Sequence, residues 1–223
     1  MKKKNLALFD LDDTLFDGDT EGEWVKYMDQ AGLIQDPEFF NKMESFGKSY
    51  RQGDLNVDEY SEFLLSPLVG KNLKELEDKI DIFTSDVIDR LTDELTEELL
   101  LKHRDDTKIL TSGSLTFLVK VIGQKMGIET CFGTDPEYKD NVFTGKVEGS
   151  PNFSEEKVRR IKIWMQSNHF EKIFAYSDSI HDLPLLEFSD IPSAISPDKK
   201  LLKVAEERKW MVEGRRNTTR SLP

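Results

Sequence analysis

Leu6-Ala7-Leu8-Phe9-Asp10-Leu11-Asp12-Asp13-Thr14-Leu15 runs from an apolar segment straight into acid. A short, uniformly apolar run is the signature of a strand buried on both faces, so the segment is expected inside a sheet. Asp10 and Asp12 then fall two residues apart at the strand's end. Carboxylates gathered at the edge of a core cost free energy through desolvation and mutual repulsion unless a cation or a proton compensates.

Further along, the same pattern returns. Thr107-Lys108-Ile109-Leu110-Thr111 is a second buried-strand signal, and Ser112-Gly113-Ser114 is expected to open the helix that follows it, through Gly127. A third strand is predicted at Gly127–Phe132 and a small hairpin around Phe143-Thr144-Gly145. Ser154-Glu155-Glu156-Lys157 reads as a helix start. Lys172-Ile173-Phe174-Ala175-Tyr176-Ser177 is the fourth strand, ending in Asp178 and Asp182. A short helix at Leu183–Phe188, a strand at Ile191–Ile195 and a helix begun by Ser196-Pro197-Asp198 follow, with Ser196 as the cap and Pro197 in the first turn. Arg215 to Arg220 reads as a frayed tail.

Between the first two strands, Glu21 to about Arg90 shows only helical spacing, as at Trp24, Tyr27, Met28 and Leu33. The expected fold is α/β: a Rossmann-like, mostly parallel sheet with helices on both faces, formed by residues 1–18 and 91–223, with residues 19–90 as a helical insert after the first strand. Ligands of such sheets lie beyond the C-terminal strand ends, which here carry Asp10, Ser112 and Asp178.

Composition narrows the function. A formal net charge of -12 argues against a nucleic-acid binder, which needs Lys and Arg against phosphates. The one cysteine, Cys131, excludes an intrachain disulfide and suggests a reducing, cytoplasmic setting. Lys2-Lys3-Lys4 is followed by too short an apolar run for a secretory signal, and no run is long enough to span a membrane. A small anionic substrate remains compatible, since a metal, a helix N-terminus and one or two basic side chains make a local cationic pocket.

The residue types at the strand ends suit phosphoryl transfer. Asp10 is placed to attack phosphorus and form an aspartyl phosphate, while Asp12 protonates the leaving oxygen and later deprotonates a water. Magnesium, a hard cation with oxygen ligands, would be shared by Asp10 and Asp178. Ser112 and the backbone N–H groups around Gly113 would hold phosphoryl oxygens, and Lys157 would supply fixed positive charge.

Phe9-Asp10-Leu11-Asp12-Asp13-Thr14-Leu15, Ile109-Leu110-Thr111-Ser112-Gly113, Lys157 and Ser177-Asp178-Ser179-Ile180-His181-Asp182-Leu183-Pro184 stand in the order and spacing of the haloacid dehalogenase superfamily of phosphatases, which the chain resembles over nearly its whole length. The insert is similar to the cap of its phosphoserine phosphatase-like subfamily. The resemblance implies that Asp10 is nucleophile and metal ligand, Asp12 the acid-base group and a backbone-carbonyl metal ligand, Asp178 the third protein contact to magnesium, and Asp182 a support behind them. It implies substrates such as phosphoserine or histidinol phosphate, with cap residues Glu21 and Arg51 as contacts to the leaving group. Two departures are Ser177, where many members have Gly, and Ser196-Pro197-Asp198, where close relatives often have Asn-Pro-Asp.

Plainer readings compete. Asp10, Asp12, Thr14 and Glu21 fit four positions of a calcium loop, but Leu15 stands where that loop requires Gly. Ser112 alone would be read as a helix cap, Lys157 as a surface lysine, and Glu21, Glu23 and Arg51 as a solvated helix face. His181 is left outside the catalytic set because Asp12 already fills the acid-base role, and His103 and His169 read as helix-end residues. Two other functions share the motifs: a phosphomutase, and a non-catalytic phosphate- or metal-binding interaction module.

Overall fold

The computed structural model describes residues 4–166 and 168–215. The opening apolar run is β1 (Leu6–Phe9), and all four of its side chains are fully buried. Alternation along the strand explains this: Ala7 and Phe9 join the apolar cluster on one face, Leu6 and Leu8 the cluster on the other.

The helical segment follows, with α1 (Thr20–Gln30), α2 (Phe39–Gln52), α3 (Val57–Leu65) and α4 (Leu73–Leu91). Asp19, Asn56 and Asn72 cap α1, α3 and α4 by accepting from backbone N–H groups, and Gly53 ends α2 in the left-handed region. Next come α5 (Glu94–Lys102), β2 (Thr107–Leu115), α6 (Thr116–Lys125) and β3 (Thr130–Thr134). A hairpin, β4 (Pro136–Lys139) and β5 (Val142–Val147), leads to α7 (Glu155–Met165), β6 (Ile173–Ser177), α8 (Leu183–Phe188), β7 (Ile191–Ile195), α9 (Lys199–Arg208) and β8 (Met211–Glu213).

The main sheet runs β3-β2-β1-β6-β7-β8, with every pairing parallel. Side chains of α5 and α6 cover one face; α7, α8 and α9 cover the other. After β1 the chain builds outward through β2 and β3, then comes back to place β6 on β1's other side. The order therefore reverses between β1 and β6, and a crevice opens beyond their C-terminal ends.

The helical segment is rooted in the same apolar cluster as the sheet face beneath it. Trp24 of α1 lies edge-on to Phe83 of α4 and to Phe117 of α6, at centroid distances of 5.0 and 6.0 Å. The outer helices α2 and α3 are held to each other by rings: Phe39 stacks on Phe63 at 4.3 Å and Phe46 meets Tyr60 at 5.4 Å.

Four local expectations are corrected. β2 does not stop at Thr111 but continues through Ser112-Gly113-Ser114 to Leu115, so α6 starts at Thr116 and Ser112 is not at its N-terminus. Side chains satisfy the extended backbone there: Asn152 donates to the Ser112 carbonyl and Thr134 to the Gly113 carbonyl. Gly133 permits this approach, since a Cβ on it would lie 2.6 Å from the Ser114 carbonyl oxygen. The next strand starts at Thr130 rather than at Gly127.

Asp198, not Ser196, caps α9, accepting from the N–H groups of Lys200 and Leu201, so Pro197 precedes the helix. Finally, Arg215, where the frayed tail is predicted to start, is held in place, just after a short strand the sequence does not signal. Met211–Glu213 pair with β7, and Arg215 is buried; residues 216–220 lie outside the described residues.

Candidate active site

Beyond Phe9 the backbone makes one tight turn, closed by the Phe16 N–H on the Leu11 carbonyl at 2.9 Å. Asp12 within it is extended and Asp13 is left-handed, so the two neighbouring acids leave the chain in different directions. The turn separates Asp10 from Asp12 chemically as well as spatially.

Asp10 points at a cation. Lys157, on the first turn of α7 and 4% exposed, donates from Nζ to Asp10 Oδ1 at 2.8 Å and to Asp182 Oδ2 at 2.7 Å. Burial works against the charged amine, but the two carboxylates outweigh it and raise its pKa. Asp10 itself is pushed up to about 7, first by burial and then by Asp182 and Asp12, with Lys157 pulling the other way. Ser177, at the end of β6, donates to the same Asp182 oxygen at 2.8 Å.

Asp12 points at hydroxyls and a helix end. Its Oδ1 accepts from the Thr20 N–H that opens α1, at 2.6 Å. Its Oδ2 accepts from Ser112 Oγ at 3.2 Å and Ser114 Oγ at 3.0 Å. Burial raises its pKa despite these bonds. A carboxyl so placed is suited to carry a proton and to lose it.

Asp178, immediately after β6, completes the floor. The Thr14 hydroxyl lies 3.3 Å from Asp10 Oδ2 and 3.2 Å from Asp178 Oδ1, so one donor serves two acids. Burial, then Asp10 and Asp13, hold the Asp178 pKa well above the carboxylate range.

Asp10 and Asp178 suit a hard cation: their carboxylate oxygens meet at the Thr14 hydroxyl, and Asp10 raises the Asp178 pKa, a crowding of like charge that a cation would relieve. Among the described residues no three His, Cys, Asp or Glu side chains converge into a ready-made cage. The donor set the resemblance implies is two carboxylates and the Asp12 backbone carbonyl with water for the rest, and magnesium characteristically keeps several waters.

Above the floor lies a cleft of about 360 Å³, roofed by Met43, Phe46, Tyr50 and Arg51 of α2 and by Val57 and Tyr60 of α3. Glu21 lines it and accepts from the Tyr60 hydroxyl at 3.0 Å. Burial, with Asp19 and Asp12 nearby, pushes Glu21 up to about 8. Arg51 reaches the rim, whereas Glu23 pairs with Lys26 and Arg90 outside the cleft.

His181 faces the cleft between the Tyr50 and Phe153 rings, 5.0 Å from each, and Tyr50 Oη lies 3.3 Å from Ser179 Oγ. Asp10, Asp12, Ser112, Gly113, Lys157, Asp178, Asp182, Glu21 and Arg51 thus all line one cleft. His103 is the helix-end residue expected, the C-cap of α5, but is also 1% exposed, with its ring nitrogens 2.8 Å from Asp106 Oδ2 and 2.7 Å from the Tyr176 hydroxyl.

Sequence reasoning missed Thr14, Ser114 and Tyr60. Ser114 was findable, because two residues along a strand return to the same face as Ser112. The contact of Tyr60 with Glu21 is tertiary and left no trace in the sequence.

The sequence profile of haloacid dehalogenase-like hydrolases matches residues 7–187. The chain belongs to that family. A histidinol-phosphatase from Neisseria meningitidis serogroup C is 32% identical over 218 residues, spanning 94% of this chain and 98% of that protein. Phosphoserine phosphatase SerB1 of Mycobacterium tuberculosis is 26% identical over 220 residues, spanning 92% and 69%. Among solved structures, a protein of unknown function from Bordetella pertussis Tohama I superposes with a TM-score of 0.86 at 31% identity, covering 95% of this chain and 99% of that one. Family and site agree on a phosphoric monoester hydrolase.

Proposed function

We propose that the protein is a magnesium-dependent phosphatase that cleaves the phosphomonoester of a small amino alcohol through an aspartyl phosphate on Asp10. The observation that carries this is the division of labour between acids two residues apart: Asp10 is set against Lys157, and Asp12 is turned toward Thr20, Ser112 and Ser114.

In the first half-reaction an Asp10 carboxylate oxygen bonds to phosphorus as the ester oxygen leaves, taking a proton from Asp12. In the second, Asp12 takes a proton from water as the water oxygen bonds to phosphorus, and Asp10 departs as a free carboxylate. Ser112, Gly113 and Lys157 receive the phosphoryl oxygens, and Asp182 keeps Lys157 aimed at Asp10. Asp10, Asp178 and the Asp12 carbonyl would hold magnesium, which supplies positive charge to the transferring group.

The leaving group lies toward the roof, where Glu21 and Tyr60 suit an ammonium and Arg51 waits at the rim. Phe46, Tyr50 and Tyr60 favour a ring-bearing alcohol such as histidinol over serine, a choice supported by the histidinol-phosphatase relative that this chain spans almost completely. Residues 19–90 act as the cap. The cap opens to admit substrate and closes over it for turnover. A reducing cytoplasmic setting goes with the single cysteine.

A released-phosphate screen over phosphorylated metabolites, with and without magnesium, tests the proposal. Histidinol phosphate is expected to give the highest kcat/KM, phosphoserine less, and EDTA to abolish both. Uniformly slow rates, or full activity after rigorous chelation, would refute it.

A further inference from the structure

Arg215 comes from the far end of the described chain, yet its guanidinium lies against the turn that carries the catalytic acids. The hydrogen-bonding of two neighbouring segments puts it there. The Ser196 N–H donates to the Glu213 carbonyl at 2.8 Å, and the Arg215 N–H to the Ser196 hydroxyl at 3.2 Å. The end of β8 is thereby stitched to the end of β7, and the Arg215 side chain, 2% exposed, is directed inward.

There its Nη2 donates to the Thr14 carbonyl, its Nη1 pairs with Asp93 Oδ1, the N-cap of α5, and its Nε lies 3.8 Å from Asp17 Oδ1. A planar fork can serve a carbonyl and a carboxylate together, which a lysine ammonium does less well.

The Thr14 carbonyl is a significant target. Two other carbonyls of the turn are fixed from elsewhere: Leu11 by the Phe16 N–H, and Leu15 by the Thr96 hydroxyl at 2.6 Å. Thr14 is also the residue whose hydroxyl sits between Asp10 and Asp178. We propose that Arg215 is a positioning residue that, by holding the Thr14 carbonyl, fixes the Thr14 hydroxyl and with it the relative placement of Asp10 and Asp178. The end of the chain thus tunes a site built at its beginning.

The inference rests on the phosphatase reading for its kinetic arm alone. Full-length Arg215→Ala and Arg215→Lys are compared with the unaltered protein by hydrogen exchange, and by hydrolysis of p-nitrophenyl phosphate. Arg215→Ala is expected to speed exchange across residues 11–17 while β3 and α9 keep their protection. Its kcat is expected to fall roughly tenfold or more with KM changed less than about threefold, since small displacements of reacting groups are costly. Added guanidinium at non-denaturing concentration restores part of kcat, and Arg215→Lys falls between.

Unchanged exchange across 11–17, or an unchanged kcat in folded Arg215→Ala, would overturn the proposal. So would faster exchange spread evenly through the sheet, which would make the residue a general stabiliser. If Arg215→Ala does not fold, the same two readouts on Arg215→Lys decide. If the unaltered protein shows no turnover, the phosphatase reading fails and the exchange pattern still judges Arg215.

Discussion

The floor and the roof of the cleft are built by different means. On the floor, Asp10, Asp12, Lys157 and Asp182 are locked by bonds of 2.6 to 3.2 Å, and Asp10, Lys157 and Asp182 are buried. The roof is made of rings on α2 and α3, and Tyr50 crosses to the floor by a hydroxyl contact of 3.3 Å to Ser179 and a ring contact of 5.0 Å to His181. Reaction geometry needs rigid placement to fractions of an ångström, and parallel strands knitted on both sides supply it. Admission of substrate needs motion, which a roof of ring contacts suits better than a hydrogen-bonded floor.

If that contrast holds, substitutions on the floor should damage kcat and substitutions on the roof should damage KM. After the nucleophile itself, Asp12→Asn should show the largest loss on the floor, about 10²- to 10⁴-fold in kcat with an alkyl phosphate, because it keeps the shape but cannot cycle a proton. With an aryl phosphate, whose leaving group needs little protonation, the loss should be smaller; equal losses on both would break the acid-base assignment.

Lys157→Met comes next, at roughly 10²-fold or more in kcat, together with a lowered melting temperature, since Asp10 and Asp182 would be left buried without their cation. A melting temperature that stayed the same would show that the pair is better hydrated than its burial implies.

On the roof, Glu21→Gln should raise KM for an amine-bearing substrate about tenfold and leave aryl phosphate kinetics nearly unchanged. The same variant gives the smallest effect, on stability. The Glu21 pKa lies at about 8 against an ordinary 4.5, so its ionisation disfavours the fold. The penalty is absent below pH 4.5, grows as pH rises and is complete above pH 8. Glu21→Gln should therefore match the unaltered protein at pH 4 and exceed it at pH 9, by on the order of 1–2 kcal/mol in urea unfolding.

The floor was legible in the sequence for the reason it is rigid. Asp10 and Asp178 directly follow strands whose apolar runs are unmistakable, and Lys157 sits where acidic residues announce a helix. Ser112 was placed correctly but in the wrong element, because Ser-Gly-Ser carries no periodicity and the side chains that keep it extended, Thr134 and Asn152, arrive from later in the chain. β8 and Arg215 escaped because three residues at a sheet edge show no pattern against a charged tail. Glu21 and Arg51 were reachable only by resemblance; Tyr60, the partner of Glu21, depends on how α3 packs, which local sequence does not encode.

The central claim is that Asp10 is the atom donor to phosphorus, and Asp10→Asn tests it most directly. The amide keeps the volume of the carboxyl but is not a competent nucleophile, so folded Asp10→Asn should release no phosphate from p-nitrophenyl phosphate above background with magnesium present. Turnover in that variant comparable to the unaltered protein would contradict the mechanism and leave the acidic turn without its assigned role.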